Sequence, residues 1–147
     1  MIYFDTSVLA AYYTPEERSA EAAAIVAKAS YPVVSDLAVA ELNVVMVRKE
    51  RLGFLPPKGA EAVFSLFDEH LRDAFLTIAL ETRHMEATRA LATRTLARLR
   101  TLDALHLVLA LEVEATVATF DERLYEAARA VGLSVLPQIL SEAPGIL

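Results

Sequence analysis

The sequence predicts an α/β domain in three layers, a parallel sheet with helices on both faces, on the strength of three observations. Five short runs with strand character alternate with seven stretches of helical periodicity along the 147 residues. No internal repeat or low-complexity linker interrupts the alternation. The length suits one domain, residues 1–147, with a single continuous core, because domains run to roughly 150 residues. Short strands separated by helices pair in parallel and are covered on both sides.

Each element follows from its local pattern. The first strand, Ile2 to Phe4, runs straight into Asp5, and the apolar pattern resumes at Val8 in a helix from Ser7 to Tyr13. A helix from Glu16 to Ala29 comes next, then a second strand, Val33 to Ser35, which leads through "SDLAVAEL" into a helix from Asp36 to Arg51. "LGFLPPKG" is the clearest breaker: Gly53, Pro56, Pro57 and Gly59 end that helix and permit another from Lys58 to Leu71. Phe75 to Ala79 reads as a strand, Thr82 to Leu96 and Asp103 to Glu112 as helices, and Thr116 to Phe120 as the fourth strand. The helix from Glu122 to Val131 meets Gly132 where a C-cap belongs, and Leu133 to Leu136 closes the series.

Composition removes several classes of function. The apolar fraction is 55%, but no run approaches the roughly 20 apolar residues of a membrane span. The N-terminus has no basic region before its apolar stretch and carries Asp5 inside it, so it does not read as a signal peptide. Cytoplasmic residence is the expectation. With no cysteine, disulfides and zinc thiolate sites are excluded. A net charge of -6 leaves no global basic footprint, so any polyanion must be held by a local patch or a bound cation.

Four acids stand out. Ligands of open α/β sheets bind beyond the carboxyl ends of the strands, and Asp5 follows "MIYF" as Asp121 follows "ATVATF". Both should emerge at one edge of the sheet. Glu41 lies about a turn and a half into a helix that is apolar almost all round, which implies burial. Taken singly, Asp36 reads as an N-cap and Glu41 as a solvated residue. In "RTLDALHLVLALE" only Asp103 and His106 interrupt the apolar faces. Asp103 suits the first turn of a helix, where the dipole favours a carboxylate by roughly 0.3 to 1 kcal/mol, and His106 reads as a hydrogen-bonded core histidine. Neither local role explains why all four fall at ends that one face of the sheet gathers.

Two carboxylates about 5 Å apart repel by roughly 3 kcal/mol at an effective dielectric of 20. Such a cluster protonates or binds cations. Hard oxygen donors without a His-rich or Cys-rich set select Mg²⁺, with Mn²⁺ as a substitute, over zinc. One or two such ions can hold a phosphodiester, acidify a water for in-line attack and stabilise the leaving oxygen. The bound cation also lets an acidic protein handle a polyanion.

Through "YFDTSVL", "SDLAVAEL", "TLDALHLVLALE" and "TFDERLYEAARAVGL", essentially the whole chain resembles the PIN-domain ribonucleases of the VapC toxin type. The resemblance implies a five-stranded parallel sheet in the order 3-2-1-4-5 and an acidic metal site of Asp5, Glu41, Asp103 and Asp121. It suggests that Ser7 and Thr119 tune that site through their hydroxyls, where the local alternatives are an N-cap and a β-branched strand residue. It implies a Mg²⁺-dependent endoribonuclease, the toxin of a toxin–antitoxin pair, with RNA as substrate and a cognate antitoxin protein as partner. A phosphorelay receiver would need a paired acid by the first strand and a lysine ending a later strand; a haloacid-dehalogenase phosphatase would need Asp where Ser7 stands. A flap nuclease would need a longer chain. A catalytically silent, metal-dependent RNA-binding module is the alternative reading.

Two stretches bear on partners. Between Thr82 and Thr101, five arginines stand against Glu86 alone, a local charge of +4. Arg94, Arg98 and Arg100 are the expected phosphate contacts, the first two on one helix face by their i, i+4 spacing; the alternative is a solvated face whose arginines pair with the surplus acids of other helices. "GFLPPKGAEAVFSLFDEHL" holds Phe54, Leu55, Val63, Phe64, Leu66 and Phe67, and Tyr12 and Tyr13 add to them. This apolar bulk either packs on the sheet or receives an antitoxin helix and supports a symmetric homodimer.

Overall fold

In the computed structural model, which describes residues 1–95 and 98–138, the predicted alternation is realised. The elements are β1 (Ile2–Phe4), α1 (Thr6–Tyr13), α2 (Ser19–Lys28), β2 (Pro32–Ser35), α3 (Asp36–Arg51) and α4 (Gly59–Asp73). They continue with β3 (Leu76–Ile78), α5 (Thr82–Arg94), α6 (Thr101–Glu112), β4 (Thr116–Ala118), α7 (Glu122–Ala130) and β5 (Val135–Leu136). Every strand pair is parallel and the order is β3-β2-β1-β4-β5, so β1 lies at the centre.

Alternation along the strands divides the core. Tyr3, Val33, Val117 and Val135 pack with Leu91 of α5, with α6 and with α7 on one face. Phe4, Val34 and Ala118 pack with α1 to α4 on the other. Helix α6 is buried continuously from Asp103 to Ala110, as its uniformly apolar sequence requires. Truncating Leu107 or Leu109 there to alanine would cost about 2 to 5 kcal/mol.

Several boundaries differ from the sequence reading for local reasons. Helix α2 begins at Ser19 rather than Glu16 because the Ser19 hydroxyl donates to the Thr14 carbonyl (2.9 Å) and accepts from the Glu16 amide (2.8 Å), which folds the intervening residues into a turn. Ser35, not Asp36, caps α3: its Oγ accepts from the Ala38 amide at 3.2 Å, while Asp36 reaches across to the Leu80 amide at 3.0 Å. Gly59 opens α4 after left-handed Lys58, and a Cβ there would lie 2.9 Å from the Leu55 Cβ. Helix α5 ends at Arg94, with Thr95 extended, so Arg94 and Arg98 do not share a helix face. The predicted end of that helix, Leu96, lies outside the described residues.

The apolar stretch divides between core and surface. Leu55, Val63 and Phe67 are buried and Phe64 is partly so, whereas Phe54 and Leu66 are exposed. Tyr12 and Tyr13 pack edge to face, and the Tyr13 hydroxyl bonds to His70 Nδ1 at 2.7 Å. No helix among the described residues is long and apolar enough to cross a membrane.

Candidate active site

The central pairing of the sheet brings the first two acids together. Phe4 is in register with Ala118, so the chain leaves β1 at Asp5 beside the point where it leaves β4 toward Asp121. Both acids then start helices: Asp5 Oδ1 accepts from the amides of Ser7 (3.0 Å) and Val8 (3.3 Å), and Asp121 Oδ1 from those of Arg123 (2.9 Å) and Leu124 (3.2 Å). Glu41 comes from the second turn of α3 and Asp103 from the first turn of α6. All four line one cavity of about 270 Å³, together with Thr6, Ser7, Arg100, His106 and Leu124.

Asp5 is the most constrained of them. Ser7 Oγ donates to Oδ1 at 2.6 Å and Thr119 Oγ1 to Oδ2 at 2.7 Å. The same hydroxyls accept the amides of Phe120 (2.8 Å) and Asp121 (2.9 Å), which ties the β1 exit to the β4 exit. Thr119 therefore leaves the strand at Ala118 to serve this knot. Burial pushes the Asp5 carboxyl above its ordinary pKa, and the hydrogen bonds from Ser7 and Thr119 partly oppose the rise.

The other three acids have a common pattern. Glu41 Oε1 accepts from Thr6 Oγ1 at 3.2 Å and meets His106 Nε2, Asp103 Oδ2 faces the Arg100 amide at 3.4 Å, and Asp121 uses Oδ1 for its helix. Among the described residues, the second oxygen of each takes no hydrogen bond, and no buried side-chain polar atom lacks a partner. The free oxygens are thus open to the cleft. The donor set is carboxylate oxygen throughout, which fits a hard divalent cation. Among the described residues, no three carboxylate or imidazole groups stand as a preformed cage.

Residues 2–130 match the PIN domain family. The chain belongs to that family. Comparison with curated proteins finds no significant match. Among solved structures it is similar to VapC20 of Mycobacterium tuberculosis, a sarcin-ricin loop cleaving toxin, with a TM-score of 0.69 at 18% identity over 86% of this chain and 95% of that one. VapBC2 from Rickettsia felis, bound to a DNA fragment from its promoter, gives 0.65 at 19% identity over 92% and 97%. FitAcB from Neisseria gonorrhoeae gives 0.63 at 20% over 92% and 96%. At these identities the likeness is one of fold.

Within this PIN domain the arginines separate. Arg100 lines the acidic cleft, and Arg98 lines with it a depression of about 790 Å³ that continues past Asp121 and holds Arg123 together with Glu122 and Glu126. Arg94 lies elsewhere: it lines a depression between α5 and α6, and its Nε donates to the Ala90 carbonyl at 3.2 Å. A second depression, of about 480 Å³, shares Thr6, Ser7 and Glu41 with the cleft and is lined by Phe120, with the Arg18 guanidinium 3.7 Å above its ring. Sequence reasoning did not anticipate Arg123, Arg18 or the hydroxyl of Thr6. Thr6 alone carried a signal, since it adjoins Asp5 and starts the helix.

Proposed function

We propose that the protein is a Mg²⁺-dependent endoribonuclease, the toxin of a VapBC-type toxin–antitoxin pair, formed by residues 1–147 as a single domain. The observation that carries this reading is the convergence of Asp5, Glu41, Asp103 and Asp121 on one cavity at the carboxyl edge of the sheet, in a chain of the PIN family. The free oxygens of Glu41, Asp103 and Asp121 and the carboxylate of Asp5 would hold the cation, with Mn²⁺ able to substitute. When bound, that ion supplies an acidified water and charge stabilisation for phosphodiester hydrolysis. Ser7 and Thr119 fix the Asp5 carboxylate so that it presents the same face with or without the ion. Arg98 and Arg100 hold the RNA phosphates beside the cleft, by bidentate hydrogen bonds. Arg98 and Arg100 and the acidic centre therefore act on one strand: the arginines position it, the centre cleaves it.

The VapBC2 structure pairs a toxin fold with its partner, which supports a cognate antitoxin here. Exposed Phe54 and Leu66 suit contact with an amphipathic antitoxin helix or with a second copy in a homodimer. The deciding experiment incubates the purified chain with RNA in Mg²⁺, in Mn²⁺ and in EDTA. Internal cleavage in the two metals and none in EDTA is expected. Metal-dependent RNA binding without cleavage would replace this reading by that of a silent RNA-binding module.

A further inference from the structure

Beneath Glu41 lies a buried row of side chains that the reading of the four acids leaves without a role. Ser35 Oγ is 2.7 Å from the Tyr3 hydroxyl, which is 2.6 Å from His106 Nδ1, and His106 Nε2 meets Glu41 Oε1. Tyr3 and Ser35 are fully buried and His106 nearly so. They come from β1, the end of β2 and the second turn of α6, so the row spans the central strands and ends on a cleft carboxylate.

Donor counting orders the row. If Nε2 carries the proton, it donates to Glu41, Nδ1 accepts from Tyr3, Tyr3 accepts from Ser35, and every hydroxyl proton has an acceptor. Placing the proton on Nδ1 alone would set the Nε2 lone pair against a carboxylate oxygen. Protonating both nitrogens would make Nδ1 a donor to the Tyr3 oxygen and leave one of the two hydroxyl protons, that of Tyr3 or that of Ser35, without an acceptor in the row. Burial raises the Tyr3 phenol far above its ordinary pKa, so it remains a donor. The Oε1 atom of Glu41 is thereby engaged twice, by His106 and by Thr6, and Oε2 is the atom left for the cleft.

We propose that Tyr3 and Ser35 are positioning residues of the site: they hold His106 as the Nε2–H tautomer, which fixes the Glu41 carboxylate with Oε2 toward the cation. The proposal rests on the nuclease reading for its purpose but not for its test. Partners that orient a metal ligand in this way typically change metal affinity or activity by about 10-fold to 100-fold.

The test uses Tyr3→Phe, which removes one buried hydroxyl and keeps the ring, with ¹⁵N-histidine spectra, calorimetric Mg²⁺ titration and cleavage kinetics on the full chain. His106 should show a single Nε2–H tautomer in the parent, and in Tyr3→Phe its Nδ1 resonance should move as that nitrogen loses its donor. Mg²⁺ binding should weaken by about tenfold, with kcat reduced and KM for RNA unchanged. In a His106→Gln background, where the amide donates to Glu41 without a tautomer to fix, Tyr3→Phe should change nothing further. An Nδ1–H tautomer in the parent overturns the proposal even if the variant fails to fold. Unchanged Mg²⁺ affinity in Tyr3→Phe, or independent addition of its effect to that of His106→Gln, also overturns it. Mg²⁺ binding without RNA cleavage by the parent sinks the nuclease reading alone; absence of Mg²⁺ binding sinks both.

Discussion

Two buried histidines, His106 on α6 and His84 on α5, bond in nearly the same way and serve different ends. Each takes a hydrogen bond at Nδ1, from the Tyr3 hydroxyl at 2.6 Å and the Glu81 amide at 2.9 Å respectively, and each presents Nε2 to a glutamate. The difference lies in what else the glutamate meets. Glu112, the partner of His84, is gripped by Arg83 at both oxygens, and this pairing holds its pKa below the ordinary value. Glu41, the partner of His106, meets no Lys or Arg side chain among the described residues and shares its cavity with three more acids and Arg100. A carboxylate neutralised by arginine is a fastening; one left un-neutralised among other acids is a place for a cation.

The contrast should be disturbed most severely at Asp103. Asp103→Asn should abolish RNA cleavage while leaving the protein in EDTA as stable as the parent or more so, because one of four like charges is removed. Cleavage assays and thermal midpoints in EDTA check the pair of outcomes, and a large fall in metal-free stability would refute it. Next come the histidines themselves. His84→Ala should cost about 1 to 3 kcal/mol by leaving the Glu81 amide without its acceptor and leave kcat unchanged, whereas His106→Ala should lower kcat and Mg²⁺ affinity together. Denaturant titration beside initial rates separates them, and equal catalytic losses would erase the distinction.

A smaller effect belongs to the arginines beside the cleft. Changing Arg98 and Arg100 together to Gln should weaken RNA binding and shallow its salt dependence by roughly 0.7 log units for each phosphate no longer held by an arginine, with Mg²⁺ binding intact. Adding Arg94→Gln tests whether the arginine across α5 reaches the same strand; its position predicts no further change of slope. The smallest effect is at the fastening. Glu112 has a lowered pKa, so its contribution is present above the ordinary 4.5 and is lost as pH falls through the folded value. Arg83→Gln should flatten that acid-side fall in thermal midpoint, only slightly, since the pair is solvent-screened.

Much of the fold was legible in the sequence, because it rests on local signals. Pro56, Pro57 and Gly59 break the chain where α3 gives way to α4, and Gly132 turns it at a φ of +87° after α7. Asp5 and Asp121 were readable because each follows an apolar strand, and their shared edge follows from parallel pairing. The row from Ser35 through Tyr3 to His106 was not, since its pairings span 32 and 103 residues and have no period. His106 was legible only as a buried, hydrogen-bonded histidine, and which acid it faces depends on how α6 and α3, from opposite faces of the sheet, come together at its carboxyl edge. The arginine face failed for a backbone reason: Thr95 leaves the helix after Arg94, and the Arg100 amide is turned toward Asp103.

Whether the four carboxylates of the cleft bind a divalent cation is decided by the thermal midpoint of the full chain in Mg²⁺ against EDTA. An ion at 100 times its Kd adds about 2.7 kcal/mol, which for a chain of this size raises the midpoint by roughly 5 to 10 °C. That rise is expected in the parent and should be absent in Asp103→Asn. A parent whose midpoint is the same in Mg²⁺ and in EDTA would mean that the cleft holds no such ion.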